Sequence, residues 1–114
     1  MQPISPQEFE DCVADALDKL PPELAAKFNN VVVVVEHENA DEPELLGLYE
    51  GIPLTERTDY AGVLPDKISL YRIPLCLMAE DLAHLVDEIA ITVVHEFGHH
   101  MGIDDERLHE LGWA

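Results

Sequence analysis

Hydrophobic residues recur at helical spacing near the N-terminus of the chain. The apolar positions fall three or four residues apart or side by side, at Phe9, Val13, Ala16, Leu17 and Leu20. Ser5 is suited to cap the start of a helix, with Pro6 at the first helical position and Glu8 placed to bond back to the cap. We therefore predict a helix that begins after Ser5 and ends before Pro21, with a shorter helix over Glu23 to Phe28.

A longer helical pattern lies near the other end of the chain, between Glu80 and Met101. Its apolar residues share one face: Leu82, Leu85, Val86, Ile89, Ala90, Val93, Val94 and Phe97. Gly102 suits the left-handed conformation at which many helices end. Asp104 can cap a short final helix. The pattern predicts a long helix with one buried face, followed by a short C-terminal helix.

Strand patterns fill the segment between the helices. Five consecutive valines, Val31 to Val35, are apolar on both faces and predict a central strand that is covered on two sides. Two further short strands are predicted at Leu45 to Tyr49 and at Ile68 to Ile73, with turn-rich sequence between them. The order of helix, strands and helix predicts an α+β fold, and the length allows a single domain of residues 1–114.

The charge of the chain limits its partners. Twenty-four acidic residues against 6 basic ones give a formal net charge of −18, which repels nucleic acid and anionic lipid, so we expect neither as a partner. The same negative charge favours cations and basic peptides near a cleft. The simpler interpretation is a charged surface that keeps the protein soluble. No segment is long enough to span a bilayer and the N-terminus lacks the pattern of a signal peptide, so a cytoplasmic location is expected.

The two cysteines do not suggest a disulfide framework or a thiolate zinc site. Cys12 and Cys76 stand alone, without close pairs or repeated spacing. We expect both to be reduced thiols with a structural role.

The chemistry of the chain is concentrated in the sequence HEFGH, from His95 to His99. Residues four apart on a helix project from the same side, so the two imidazoles can share one metal ion. Both histidines fall on the side of the predicted helix away from its apolar face. Glu96 is rotated from them around the helix, within reach of a metal-bound water, which is the position of a general base.

A catalytic zinc ion takes three protein ligands and leaves a fourth position to water, so a third ligand is needed. Asp105 follows His99 by six residues in the extended pattern HEFGHHMGIDD and is the predicted third ligand. Asp104, Glu106 and His109 are the alternatives. The motif thus predicts one zinc ion per chain, held by His95, His99 and Asp105. Short motifs also occur by chance on surface helices with solvated histidines, and this alternative stays open.

The sequence resembles the minimal zincin-like metallopeptidases, a family of small proteins common in bacteria. The resemblance covers nearly the whole chain and rests on four blocks: VVVVVE, LLGLYEGIPLTER, LPDKISLYR and TVVHEFGHHMGIDDERLHELGW. It implies a small mixed sheet with the active-site helix beneath it. The last block also resembles the extended motif of the metzincins, with Asp105 where many of them have a third histidine. Metzincins add a methionine-containing turn downstream, which is missing from the printed sequence, so we expect only a zincin core.

Two functional hypotheses follow. The first is a zinc-dependent peptidase in which Glu96 activates a metal-bound water to hydrolyse a peptide bond. Its substrate peptide would pair with an exposed sheet edge, at Leu45 to Tyr49 or at Lys67 to Ile73. The second is a noncatalytic metal-binding or protein-interaction module. The sequence predicts neither the substrate nor the oligomeric state.

The remaining histidines and the tyrosines have simpler interpretations than a catalytic one. His100 falls on the side of the apolar face and is expected to be a buried histidine with a hydrogen bond. His84 lies about 16 Å from His95 along the helix axis, too far to share its ion. His37 and His109 are expected at the surface. No role is assigned to Tyr49, Tyr60 or Tyr71.

Overall fold

In the computed structural model, which describes residues 1–28, 31–51, 65–100 and 106, the chain begins with a capped helix. Helix α1 runs Pro6–Asp18. Ser5 Oγ accepts a hydrogen bond from the Glu8 N–H at 3.1 Å and donates one to the Glu8 carboxylate at 3.1 Å. This cap satisfies a backbone N–H that a helix start otherwise leaves unpaired, which confirms the predicted beginning. Helix α2 (Pro22–Ala25) and a 3-10 turn (Ala26–Phe28) follow.

Three strands form one mixed sheet. They are β1 (Val31–Glu36), β2 (Gly47–Glu50) and β3 (Asp66–Tyr71). Their order is β1-β3-β2, with β3 parallel to β1 and antiparallel to β2. Together with the helices, this sheet confirms the predicted α+β fold with a small mixed sheet.

The strand of five valines is not central, and this prediction is wrong. Within the described part of the sheet β1 lies at one edge, and Val32 is 43% exposed. The central strand is β3, where Ile68 and Leu70 are fully buried. A run of β-branched residues indicates a strand, but it does not determine whether that strand has a neighbouring strand on both sides. The last predicted strand also ends earlier, at Tyr71, because the chain turns there into a helix.

Within residues 65–100, two helices follow β3. Helix α3 (Arg72–Met78) is a difference from the sequence prediction, which extends the preceding strand to Ile73 and places no helix here. Helix α4 (Leu82–His100) confirms the long helix, and Asp81 Oδ1 accepts a hydrogen bond from the His84 N–H at 2.8 Å at its start. The predicted end at Gly102 and the capped final helix lie outside the described residues, apart from residue 106, which is helical. No described helix is long and apolar enough to cross a membrane.

The core lies between α1, α3, α4 and the sheet. Its fully buried side chains come from all of these elements: Phe9, Ile68, Leu70, Leu75, Cys76, Leu85, Ile89 and Val93. The buried face of α4 is the predicted one except at Leu82, which is 52% exposed in the first turn of the helix. The core thus occupies one side of α4 and leaves the other side for chemistry.

Both cysteines are free and buried, as predicted. Burial raises the pKa of the Cys12 thiol above its ordinary value, and the negative charge of Asp15 adds to the shift. A thiol with a raised pKa is a poor nucleophile at neutral pH, so Cys12 has a packing role.

Strand β2 lies directly against α4 because residue 47 is glycine. A Cβ atom added at Gly47 would be 2.7 Å from Thr92 Cγ2 and 3.2 Å from the Ser69 carbonyl oxygen. It would also be 3.6 Å from Glu96 Cγ. The missing side chain therefore sets the distance between the sheet edge and the part of α4 that carries Glu96.

Replacing Gly47 with alanine should push β2 away from α4. We expect Gly47→Ala to lower the free energy of unfolding by about 1–3 kcal/mol, the usual effect of overpacking a filled site. Gly51→Ala is the matched control, because its new carbon would meet side-chain atoms at longer distances, the ring of the exposed His100 at 3.3 Å and Asp66 Oδ1 at 3.8 Å. Urea denaturation measures both variants, and native stability in Gly47→Ala would contradict this packing.

Candidate metal centre

The C-terminal end of α4 carries two imidazole rings side by side. His95 is half-buried and His99 is exposed, one helical turn apart. Their ring centroids are 4.3 Å apart and their planes meet at 74°. Two rings this close can each direct a nitrogen at one ion, because Zn–N bonds are about 2.0–2.1 Å long. The structure therefore brings together the two histidines that the sequence predicts as ligands.

Glu96 lies between α4 and the edge of the sheet. Its Oε1 accepts a hydrogen bond from the backbone N–H of Tyr49 in β2 at 3.3 Å. Tyr71 of β3 donates to the Leu46 carbonyl at 3.0 Å, so the alternation of an antiparallel ladder turns the Tyr49 N–H away from β3. The outer edge of β2 thus holds the carboxylate of the predicted general base.

Tyr49 joins several parts of this region. Its hydroxyl donates to Asp66 Oδ2 at 2.7 Å, and its ring stacks on the His100 ring with centroids 4.0 Å apart. The same residue bonds to Glu96 through its main chain. The sequence alone indicates no role for Tyr49. Strand alternation indicates which face the Tyr49 side chain occupies, but only the packing of β2 on α4 shows that the Tyr49 N–H reaches Glu96.

His100 is not the buried histidine that the sequence predicts. Its side chain is 40% exposed, and Nε2 lies 3.7 Å from Asp66 Oδ2. The last described core residue of α4 is Phe97, so a position on the apolar face one turn later lies beyond the core. There it meets Tyr49 at the end of the sheet and contributes to the surroundings of the site.

Two other histidines are engaged elsewhere. His84 Nε2 lies 3.2 Å from Glu88 Oε1 in the first half of α4. His37 is exposed, and its Nδ1 lies 2.9 Å from Arg72 Nη2. Because arginine only donates, this His37 nitrogen accepts. Neither ring takes part in the pair on the last turns of α4.

The predicted third ligand, Asp105, lies outside the described residues, as do the alternatives Asp104 and His109. Glu106 is helical and exposed. Within residues 1–28, 31–51, 65–100 and 106, no group of three or more His, Cys, Asp or Glu side chains is placed to hold a metal ion. Two imidazoles and one carboxylate form a donor set that catalytic zinc sites use. The described histidine pair fits that set as two of its three members.

An open cleft of about 360 Å³ runs beside His95 and Glu96. Residues 44–47 form one wall and α4 forms the other. The helix residues that line it are three, four or one apart: Glu88, Ile91, Thr92, His95 and Glu96. Its volume is in the range of about 300–1,000 Å³ that is usual for ligand pockets. The cleft follows the helix toward His95 and Glu96.

Comparison with known proteins supports the family that the sequence resembles. The family model described as "Zincin-like metallopeptidase" matches residues 27–113, well over half of the chain. The matched range contains all three strands, α4 and the HEFGH motif. No curated protein matches the chain.

The hydroxyl of Tyr49 should stabilise the site region measurably. Tyr49→Phe removes a hydrogen bond to a carboxylate but keeps the ring, and we expect a loss of about 1.5–3 kcal/mol in the free energy of unfolding. Tyr71→Phe is the control, because Tyr71 accepts a neutral hydrogen bond from Asn39 at 3.0 Å, worth only about 0.5–1.5 kcal/mol. Urea denaturation distinguishes them, and equal losses would contradict a special role of the Tyr49–Asp66 bond.

Proposed function

The chain belongs to the zincin-like metallopeptidase family, and from that premise we propose that it hydrolyses peptide bonds. In this proposal His95, His99 and Asp105 hold one zinc ion, and Glu96 is the general base. The observation that supports it best is the His95–His99 ring pair on one side of α4, together with the cleft that His95 and Glu96 line beside it.

The protein's contribution to the reaction begins with the positions of its side chains. A bound zinc ion supplies Lewis acidity, which polarises the peptide carbonyl and lowers the pKa of water to about 7. Glu96 then takes a proton from the attacking water and delivers it to the nitrogen of the leaving amine. The Tyr49 N–H holds one oxygen of this carboxylate, which restricts its orientation and leaves the second oxygen to handle the proton.

Asp105 enters as the ligand that follows α4 in the chain. It is six residues beyond His99, and its carboxylate completes the donor set of two imidazoles and one acid. Asp104, Glu106 and His109 are the alternatives for this position.

A conservative change at Glu96 tests the catalytic part of the proposal. Glu96→Gln keeps the size and a hydrogen-bond acceptor but removes the base, so we expect hydrolysis to fall by about 10²–10⁴-fold. Bound zinc should be unchanged, because Glu96 is not one of the proposed ligands. The assay is cleavage of a peptide library by zinc-loaded protein, read by mass spectrometry.

Glu36→Gln is the matched control, since Glu36 is exposed at the opposite edge of the sheet and should leave cleavage unchanged. Native cleavage rates in Glu96→Gln would show that Glu96 is not the base. A native protein that binds zinc but cleaves no peptide, with no difference between the two variants, would favour the noncatalytic metal-binding module.

A further inference from the structure

We propose that the cleft beside His95 and Glu96 binds a lysine or arginine side chain of the substrate, so that the site selects peptides with a basic residue close to the cleaved bond. The inference rests on the proposed peptidase function and names the class of peptide on which it acts. It depends on the position, the walls and the charge of the cleft.

The position of the cleft suits a side chain next to the reacting bond. It runs along α4 from Glu96 and His95 back to Glu88. Seven residues separate Glu88 from His95, which is about 10 Å along a helix axis. Consecutive residues of an extended peptide are about 3.3–3.6 Å apart, so a residue one or two positions from the cleaved bond already lies part of the way along the cleft. Its side chain then has to span only the remaining distance to Glu88.

The walls of the cleft suit an aliphatic stem. Leu45 and Leu46 line one side, while Ile91 and Thr92 line the other. The Thr92 hydroxyl donates to the Glu88 carbonyl at 2.8 Å, so its polar group is already satisfied within the helix. Lysine and arginine bury their methylene stems against surfaces of this kind and keep the charged end in a polar environment.

The charge of the cleft suits a cationic end. Glu44 and Glu88 line it together with Glu96, and among the described residues that line it there is no lysine or arginine. The Glu88 side chain is only 21% exposed and is anchored 3.2 Å from His84 Nε2. Because salt screens half-buried charges less than exposed ones, Glu88 retains more of its attraction for a cation than the many surface acids do.

The test compares peptides that differ in one charge. Fluorescein-labelled alanine peptides carry either lysine or norleucine at the same position, since norleucine has a similar stem without the ammonium group. Their dissociation constants are measured by fluorescence anisotropy on zinc-loaded Glu96→Gln protein. The buffer contains 0.15 M salt, at which the Debye length is about 8 Å and distant surface charges are screened. We expect the lysine peptide to bind about tenfold more tightly.

Two double variants in the Glu96→Gln protein locate the origin of this preference. Glu44→Gln with Glu88→Gln should reduce the ratio of the two dissociation constants to near one, and glutamine at 88 can keep a hydrogen bond to His84. Glu36→Gln with Glu38→Gln removes the same charge from exposed positions outside the cleft and should leave the ratio unchanged. Circular dichroism verifies that each variant is folded.

Three results would overturn the inference. The two peptides could bind equally, the ratio of their dissociation constants could persist after Glu44 and Glu88 are replaced, or that ratio could fall equally in both double variants. The last would assign the preference to the charge of the whole chain. Because binding is measured without turnover, failure of the peptidase proposal is recognised separately. A cleft-dependent preference without cleavage refutes peptidase activity alone, whereas cleavage without the preference refutes this inference alone.

Discussion

The close approach of β2 to α4 is the contact on which the site depends. Gly47 leaves no room for a Cβ between the strand and the helix, and the next outward-facing backbone N–H, that of Tyr49, reaches Glu96. The hydrogen bond places a carboxylate beside His95 and lets the start of β2 form a wall of the cleft. The packing of β2 on α4 therefore positions the strand edge, the candidate base Glu96 and one wall of the cleft together.

One side of helix α4 packs in the core, and the other side carries residues of the site. Its apolar face fills the space between α1 and the sheet, while the opposite side presents His95 and His99 in adjacent turns. Burial of the first face fixes the rotation of the helix, and the rotation fixes where the imidazoles lie. The core can therefore orient the histidines before any ion is bound, which reduces the ordering that binding requires.

Much of this arrangement could be predicted from the sequence, because it depends on local patterns. Helical spacing predicted α1 and α4, the Ser5 cap predicted the start of α1, and four-residue spacing predicted the histidine pair. The edge position of the valines, the exposure of His100 and the role of Tyr49 could not be predicted, since each depends on which elements pack together. A valine run does not reveal its neighbours, and a helical period does not reveal where the core ends. Asp105 stays a prediction.

Zinc content per chain tests the account most directly. Native protein and His99→Ala are incubated with zinc, desalted and measured by elemental analysis, with circular dichroism to show that both are folded. Two imidazoles that share one ion predict close to one zinc per native chain and none in His99→Ala, because the remaining ligands cannot hold the ion through desalting. Little zinc in both proteins, or one zinc in both, would contradict a metal centre at His95 and His99.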